Sequence, residues 1–283
     1  MRWPRSGARV HRLNARHREL AQQICERDPV ASVLAHVHVE TMGMRLSAML
    51  GIDDAETRHT HALAWAGANL VPVGTTPEDW EPLARYLTSR PQESSSIVGP
   101  AGEVLPLWDL VAPEWTPARD VRASQPSLVA GEVQIEPDPA VRPARLHDAP
   151  MIVPAAVAMF TEEVGYDPTT HGPSYVSRVY DLASNGMTFL RTGIGPDGEE
   201  RVEFKADVGA LAGGVAQIQG VWTAPDLRGH GIGAAGMAAV VNLARKHFAP
   251  TVSLYVNSYN EAALATYAKV GFRKVGEFAT ILM

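Results

Sequence analysis

Residues 221–236 read Val-Trp-Thr-Ala-Pro-Asp-Leu-Arg-Gly-His-Gly-Ile-Gly-Ala-Ala-Gly, and no other stretch limits the fold so tightly. An apolar strand runs through an arginine and a glycine-rich turn into an alanine-rich helix. Gly229, Gly231 and Gly233 remove the Cβ atoms that would keep a bulky anion off the backbone, and they allow the dihedrals of a tight strand-to-helix turn. The helix that follows offers unpaired N–H groups and the positive end of its dipole to that turn. Together these features make a phosphate cradle.

Two widespread cradles are excluded. Gly231-x-Gly233-x-x-Gly236 matches the dinucleotide fingerprint, which belongs near the start of a doubly wound sheet with an acid about 20 residues on. Here fewer than fifty residues follow Gly236, and the first acid, Glu261, falls in another helix. The Lys-Ser/Thr ending of a nucleoside-triphosphate loop is also missing. What remains, Arg228-x-x-Gly231-x-Gly233, resembles the acetyl-coenzyme A motif of the GNAT superfamily of N-acetyltransferases.

A second pattern follows at that family's usual spacing. Ser258 and Glu261 have capping-box spacing, which predicts a helix starting there. Asn260, Ala263 and Tyr267 stack along one side of it, Leu264 and Val270 turn to the core, and Gly271-Phe272 ends it. Asn260-x-x-Ala263-x-x-x-Tyr267-x-x-x-Gly271-Phe272 resembles the second GNAT motif. The likeness covers residues 140–283. The strand Leu254-Tyr255-Val256-Asn257 with the later Gly276-Glu277 is similar to the glycine N-acyltransferase-like branch. The whole chain resembles actinobacterial two-domain acetyltransferases whose N-terminal half has no assigned role.

The resemblance implies an α/β fold of the α+β kind: tandem GNAT-like domains, each a mixed, mostly antiparallel sheet flanked by helices. It implies transfer of acetyl from acetyl-CoA to a primary amine, with no metal. Val221, Trp222 and Thr223 would pair through their backbone with the pantetheine arm. Arg228 and the N–H groups of Gly229, His230, Gly231, Ile232, Gly233 and Ala234 would take the pyrophosphate by charge-assisted hydrogen bonds. Asn260 would hold the cofactor from the next helix, and Tyr267 would donate a proton or hydrogen bond to the leaving thiolate. With phenol and thiol near their ordinary pKa values, full transfer costs only about 2 kcal/mol. Many family members carry a carboxylate on the strand before the turn. Here alternation puts Val215, Gln217, Gln219 and Val221 on one face, so glutamines stand there instead. Glu162 is the candidate base, with Asp167 or a relay of water as alternatives.

The length of 283 residues suggests two domains. Prolines 137, 139 and 143 in a linker from Glu132 to Arg145 place a domain boundary near 131–140, giving a degenerate GNAT-like domain over 1–135 and a catalytic one over 136–283. The earlier half is predicted as a strand at 8–13, helices at 14–27 and 30–50, and a hairpin from His61 to Val73. A helix from Pro77 to Thr88, a strand at 95–98 and a helix at 102–111 follow, and the half closes at 119–130. The later half reads as a helix at 147–164, strands at 187–193, 201–208 and 214–223, and a helix to His247. A strand at 251–257, a helix at 260–270 and a last strand at 272–283 complete it. The repeated order suggests an internal duplication. If Leu70 to Val73 matches the cofactor strand, its turn, residues 74–79, has one glycine, no arginine and two acids, and should repel a pyrophosphate. One cofactor site is therefore expected.

Net charge is −6, with 13 basic and 15 acidic residues before Gly131 and 12 and 16 from there on, so no basic half is offered to nucleic acid. Neither a membrane segment nor disorder is indicated. Cys25, the single cysteine, reads as a buried structural thiol in a reducing compartment. The arginine-rich N-terminus lacks the apolar core of a secretory signal, so the cytoplasm is the default location. His36-x-His38 and His59-x-His61 lack the acids or cysteines that complete a metal site. Trp65, Trp80, Trp108 and Trp115 read as packing. The expected partner is a small-molecule amine, the expected state a monomer or homodimer. Acylation of a protein or peptide amine, and a non-catalytic acyl-CoA sensor, are the alternatives.

Overall fold

Alternation along one strand, β3 (Thr60–Ala66), sets the architecture of the first half. Ala62 and Ala64 join a buried cluster with Leu50, Ile52, Leu83 and Leu107, while Leu63 and Trp65 face another with Ile24, Val39 and Val71. Successive side chains point to opposite faces, so this sheet is covered on both. In the computed structural model, which describes residues 8–41 and 48–283, helices supply both covers.

The chain divides into two compact units. The first comprises Met1–Ser127, Tyr255–Tyr259 and Val275–Met283, the second Leu128–Leu254 and Asn260–Lys274. The first half runs β1 (Arg9–Arg12), α1 (Arg18–Cys25), α2 (Pro29–Glu40), β2 (Met49–Asp53), β3, β4 (Asn69–Val73), α3 (Pro77–Thr88), β5 (Ser96–Pro100), α4 (Ala101–Val111) and β6 (Asp120–Ala130). The second runs β7 (Arg142–Pro143), α5 (Ala149–Val164), α6 (Ser174–Ser184), β8 (Thr188–Ile194), β9 (Glu200–Ala212), β10 (Val215–Thr223), α7 (Ile232–His247), β11 (Thr251–Tyr255), α8 (Glu261–Val270) and β12 (Phe272–Leu282). Both halves read strand, two helices, three strands, helix, strand, helix, strand. Both ladders are antiparallel up to one parallel step, β4 beside β5 in the first and β10 beside β11 in the second. β12 pairs antiparallel with β5 from Phe278 to Leu282, and Val275–Met283 accordingly group with the first unit.

Three expectations change. The helix expected over 30–50 stops at Glu40; residues 42–47 lie outside the described residues, and Met49–Asp53 is a fully buried strand. A short apolar run reads equally as helix or inner strand, and the sheet decides it. Helix α6 was not expected, although Tyr175, Val179 and Ala183 recur at four-residue spacing. The capping box proposed for Ser258 and Glu261 is replaced by a cap at Asn260, whose Oδ1 accepts from Ala263 N–H at 3.1 Å. The cap therefore begins the helix at Glu261. Cys25 is fully buried, and burial pushes its thiol up to about 12. Among the described residues no helix is long and apolar enough to cross a membrane.

Candidate active site

β10 delivers its backbone to the site. It pairs in parallel with β11 from Val215 to Gln217, and beyond Gln217 that edge has no partner strand among the described residues. On the other edge β9 stays paired as far as Thr223. After a short 3-10 turn at Pro225–Leu227 the chain passes Arg228 and enters α7. Gly229 and Gly231 take φ of +80° and +83°, where a side chain is strained. An added Cβ at either would meet nothing within 4 Å, so the turn's outer surface is open.

Among the described residues, none of the backbone N–H groups of residues 229–234 has a protein acceptor. The first helical bond is closed by Ala235 N–H on Gly231 O at 3.0 Å. A row of unsatisfied donors at the positive end of a sixteen-residue helix is an anion site by construction. Gly229, His230 and Gly231 are exposed, and Ile232, Gly233 and Ala234 line the first turn half-buried. Two residues after Ala234, Gly236 lets α7 lie on the sheet, since a Cβ there would sit 2.8 Å from the Phe204 ring.

Arg228 folds back over the strand. Its Nε donates to Thr223 O at 3.0 Å, and its Nη2 donates to Glu162 Oε2 at 2.7 Å. Trp222 Nε1 donates to the other oxygen, Glu162 Oε1, at 3.3 Å. The structure thus joins Glu162, Trp222, Thr223 and Arg228 in one cluster at the end of β10. Both charges of the ion pair are about half exposed, 47 % for Arg228 and 45 % for Glu162. Asp167 is spent on its own loop, where Thr169 N–H and hydroxyl hold its carboxyl below the usual range.

The other two site residues lie on α8, which packs against α7. Asn260 caps the helix, and Tyr267 is buried on it, 7 % exposed, with its ring against Phe272. Among the described residues its hydroxyl has no hydrogen-bond partner. Burial, with a smaller contribution from the Glu163 charge, pushes the phenol well above the usual tyrosine range. On β10, Gln219 Nε2 donates to Gln217 Oε1 at 3.1 Å, so these glutamines do share a face. Sequence reasoning missed the charged pair beside them: Asp207 of β9 is the cross-strand partner of Gln219, and Lys205 that of Trp222. Two opposite charges at i and i+2, alternating with the apolar Phe204, Ala206 and Val208, were the available signal.

The equivalent turn of the first unit is built differently. Thr75 N–H and hydroxyl donate to Glu103 Oε2 at 2.8 and 2.7 Å, and Thr76 N–H donates to Asp79 Oδ2 at 2.9 Å. Side-chain carboxylates already satisfy the donors that stand open in the second unit. The histidine pairs are also occupied: His61 contacts Asp79 at 2.9 Å, and His38 stacks on Trp65 at 3.8 Å.

Residues 192–272 match the model of the acetyltransferase (GNAT) family, a span that holds both the glycine turn and α8. Residues 47–152 match a domain of unknown function, DUF4081. No curated protein matches the chain. Among solved structures, a GCN5-related N-acetyltransferase from Sphaerobacter thermophilus is 15% identical, over 99% of this chain and 96% of that one, with a TM-score of 0.61. A GNAT-family acetyltransferase from Colwellia psychrerythraea is 13% identical, over 97% and 99%, with a TM-score of 0.59. A tandem GNAT protein from the clavulanic acid biosynthesis pathway is 12% identical, over 96% and 98%, with a TM-score of 0.50. The chain has a GNAT-like fold, a mixed sheet flanked by helices, and residues 192–272 carry the pattern of the acetyltransferase (GNAT) family.

Proposed function

We propose that this protein is an acetyl-CoA-dependent N-acetyltransferase acting on the primary amine of a small molecule, with its one cofactor site in the second unit. The observation that carries this reading is the run of N–H donors at residues 229–234, open among the described residues, beside an arginine and a strand edge that no described strand pairs with. The donors and the Arg228 guanidinium fit a pyrophosphate, and the free edge of β10 fits an extended, amide-bearing arm. The bound cosubstrate supplies the activated acetyl group. The likeness of residues 254–257 to the glycine N-acyltransferase-like branch favours a small acceptor.

The chain's own groups bind, orient and hold protons. N–H groups of Val221 and Thr223 anchor the arm and polarise the acyl carbonyl, while Trp222, opposite Lys205, turns its N–H to β9. Tyr267, kept neutral by its burial, donates a hydrogen bond to the departing sulfur. Full proton transfer from it costs more than the ordinary pKa difference suggests, because every unit of upward shift adds about 1.4 kcal/mol. Gln217 and Gln219 accept no proton, and Glu162 is engaged by Arg228 and Trp222, so the acceptor's proton leaves through water. The glutamines also favour a second reading, a non-catalytic acyl-CoA sensor. Release of free thiol from acetyl-CoA over a panel of primary amines separates the two. Turnover with any amine, reduced about tenfold or more in Tyr267→Phe, is the outcome for an enzyme. Tight binding with no turnover on any amine, and no effect of Tyr267→Phe, is the outcome for a sensor.

A further inference from the structure

Lys205 is one of four lysines in a chain with 21 arginines, and it lies in the middle of β9 with 1 % of its side chain exposed. A buried ammonium is tolerated only when paired and hydrogen-bonded. Its Nζ donates to Asp207 Oδ2 at 2.6 Å and to the backbone oxygen of Gly220 at 2.8 Å. The other carboxylate oxygen, Asp207 Oδ1, accepts from the Thr188 hydroxyl at 2.7 Å. Thr188 is the partner of Asp207 across β8 and β9, so the carboxylate is braced from both sides.

Gly220 is where β10 slips against β9. Gln219 pairs with Asp207 and Trp222 with Lys205, so Gly220 and Val221 together stand opposite Ala206 in a bulge. Gly220 has φ +58°. A Cβ there would lie 2.7 Å from Asp207 Oδ2, 3.1 Å from Lys205 Nζ and 3.3 Å from Met159 Cε. The ion pair is therefore built flush against the one backbone unit that the bulge takes out of the ladder. Apolar residues of similar volume fill such a space at no loss of stability, so packing alone does not call for charges.

The bulge includes Val221 and directly precedes Trp222 and Thr223, on the stretch of β10 where, among the described residues, the pairing with β11 has ended. We propose that the Lys205–Asp207 pair positions the acyl-binding strand: by holding the Gly220 oxygen it fixes the bulge and aims the Val221 and Thr223 N–H groups, on the edge away from β9, at the thioester. This rests on the acetyltransferase reading. Lys205 is a positioning residue, since it acts through the Gly220 peptide.

The test uses the full chain, acetyl-CoA labelled with carbon-13 at the acetyl carbonyl, and two variants. Lys205→Met removes the clamp; Lys205→Met/Asp207→Leu removes it without leaving a lone buried charge. In the wild type the bound carbonyl resonance moves downfield of free acetyl-CoA, as a hydrogen-bonded carbonyl does. In the variants most of that displacement is lost, while calorimetric affinity stays within about threefold because the pyrophosphate contacts are intact. Variants that bind and keep the wild-type resonance overturn the positioning role alone. Failure of both variants to fold assigns the pair to structure and overturns it too. A wild type that does not bind acetyl-CoA overturns the acetyltransferase reading and the positioning role with it.

Discussion

At the scale of single residues, Glu162 separates two mechanisms. Its carboxylate bonds to Arg228 and Trp222, so it competes with any anion brought to the arginine. Glu162→Gln should tighten coenzyme A binding by about two- to fivefold, a modest gain because the pair is solvent-screened. Turnover should fall little. A loss of turnover of about a hundredfold or more with unchanged affinity would instead make Glu162 the base. Tyr267 carries the other residue-scale lesson. Its spacing from Asn260 and Ala263 was legible in the sequence, but its burial was not, because only the packed site tells a half-wet phenol from a desolvated one. That desolvation moves the expected role from proton donor to hydrogen-bond donor.

At the scale of elements, the two strand-turn-helix units differ in who satisfies the turn. In the second unit the donors are left open; in the first, Glu103 from α4 and Asp79 from α3 take them. Burial raises the Glu103 carboxyl above its ordinary range despite those hydrogen bonds. Glu103→Ala leaves the buried Thr75 without its acceptor and should lower stability by about 1–3 kcal/mol, read from urea denaturation. A neutral result would mean that this carboxylate only decorates the turn. Asn260→Ala removes the α8 cap and should cost about 1 kcal/mol without any ligand present, whereas an Asp replacement should retain the cap. Most elements were legible, since the strand period, the Pro77 start and the glycine stops act locally. Failures came where tertiary partners decide. Met49–Asp53 becomes an inner strand because the sheet offers it two neighbours, and α6 hides its period among serines. At α8 the amide of Asn260 outcompetes the more distant Ser258 hydroxyl for the cap.

At the scale of the whole molecule, two buried acids and a half-buried tyrosine set the response to alkali. Burial raises Cys25 from 9.0 to about 12 and Tyr175 from 10.0 to about 12, and pushes Tyr267 higher still. Each keeps its proton longer folded than unfolded, so stability is full below pH 9 and falls as pH rises toward 12. Denaturation midpoints from pH 8 to 11 should show this decline, with Cys25→Ala flattening its first part. A flat wild-type profile would contradict the burial of Cys25 and Tyr267. In acid the sign reverses: the Arg142 guanidinium holds Asp148 down to about 2, so that contribution is present above pH 3.8 and lost as pH falls through 2. The repeated element order was visible before the structure, and so was the expectation of a single site; what hid was how the first unit closes its turn. The most direct test of the account is calorimetric titration of acetyl-CoA into the wild type and Gly231→Asp, with folding of both checked by circular dichroism. One molecule bound per chain, with affinity lost by about a hundredfold or more when a carboxylate is placed among the open N–H groups, is the expected result. A folded Gly231→Asp that binds as the wild type does would contradict it.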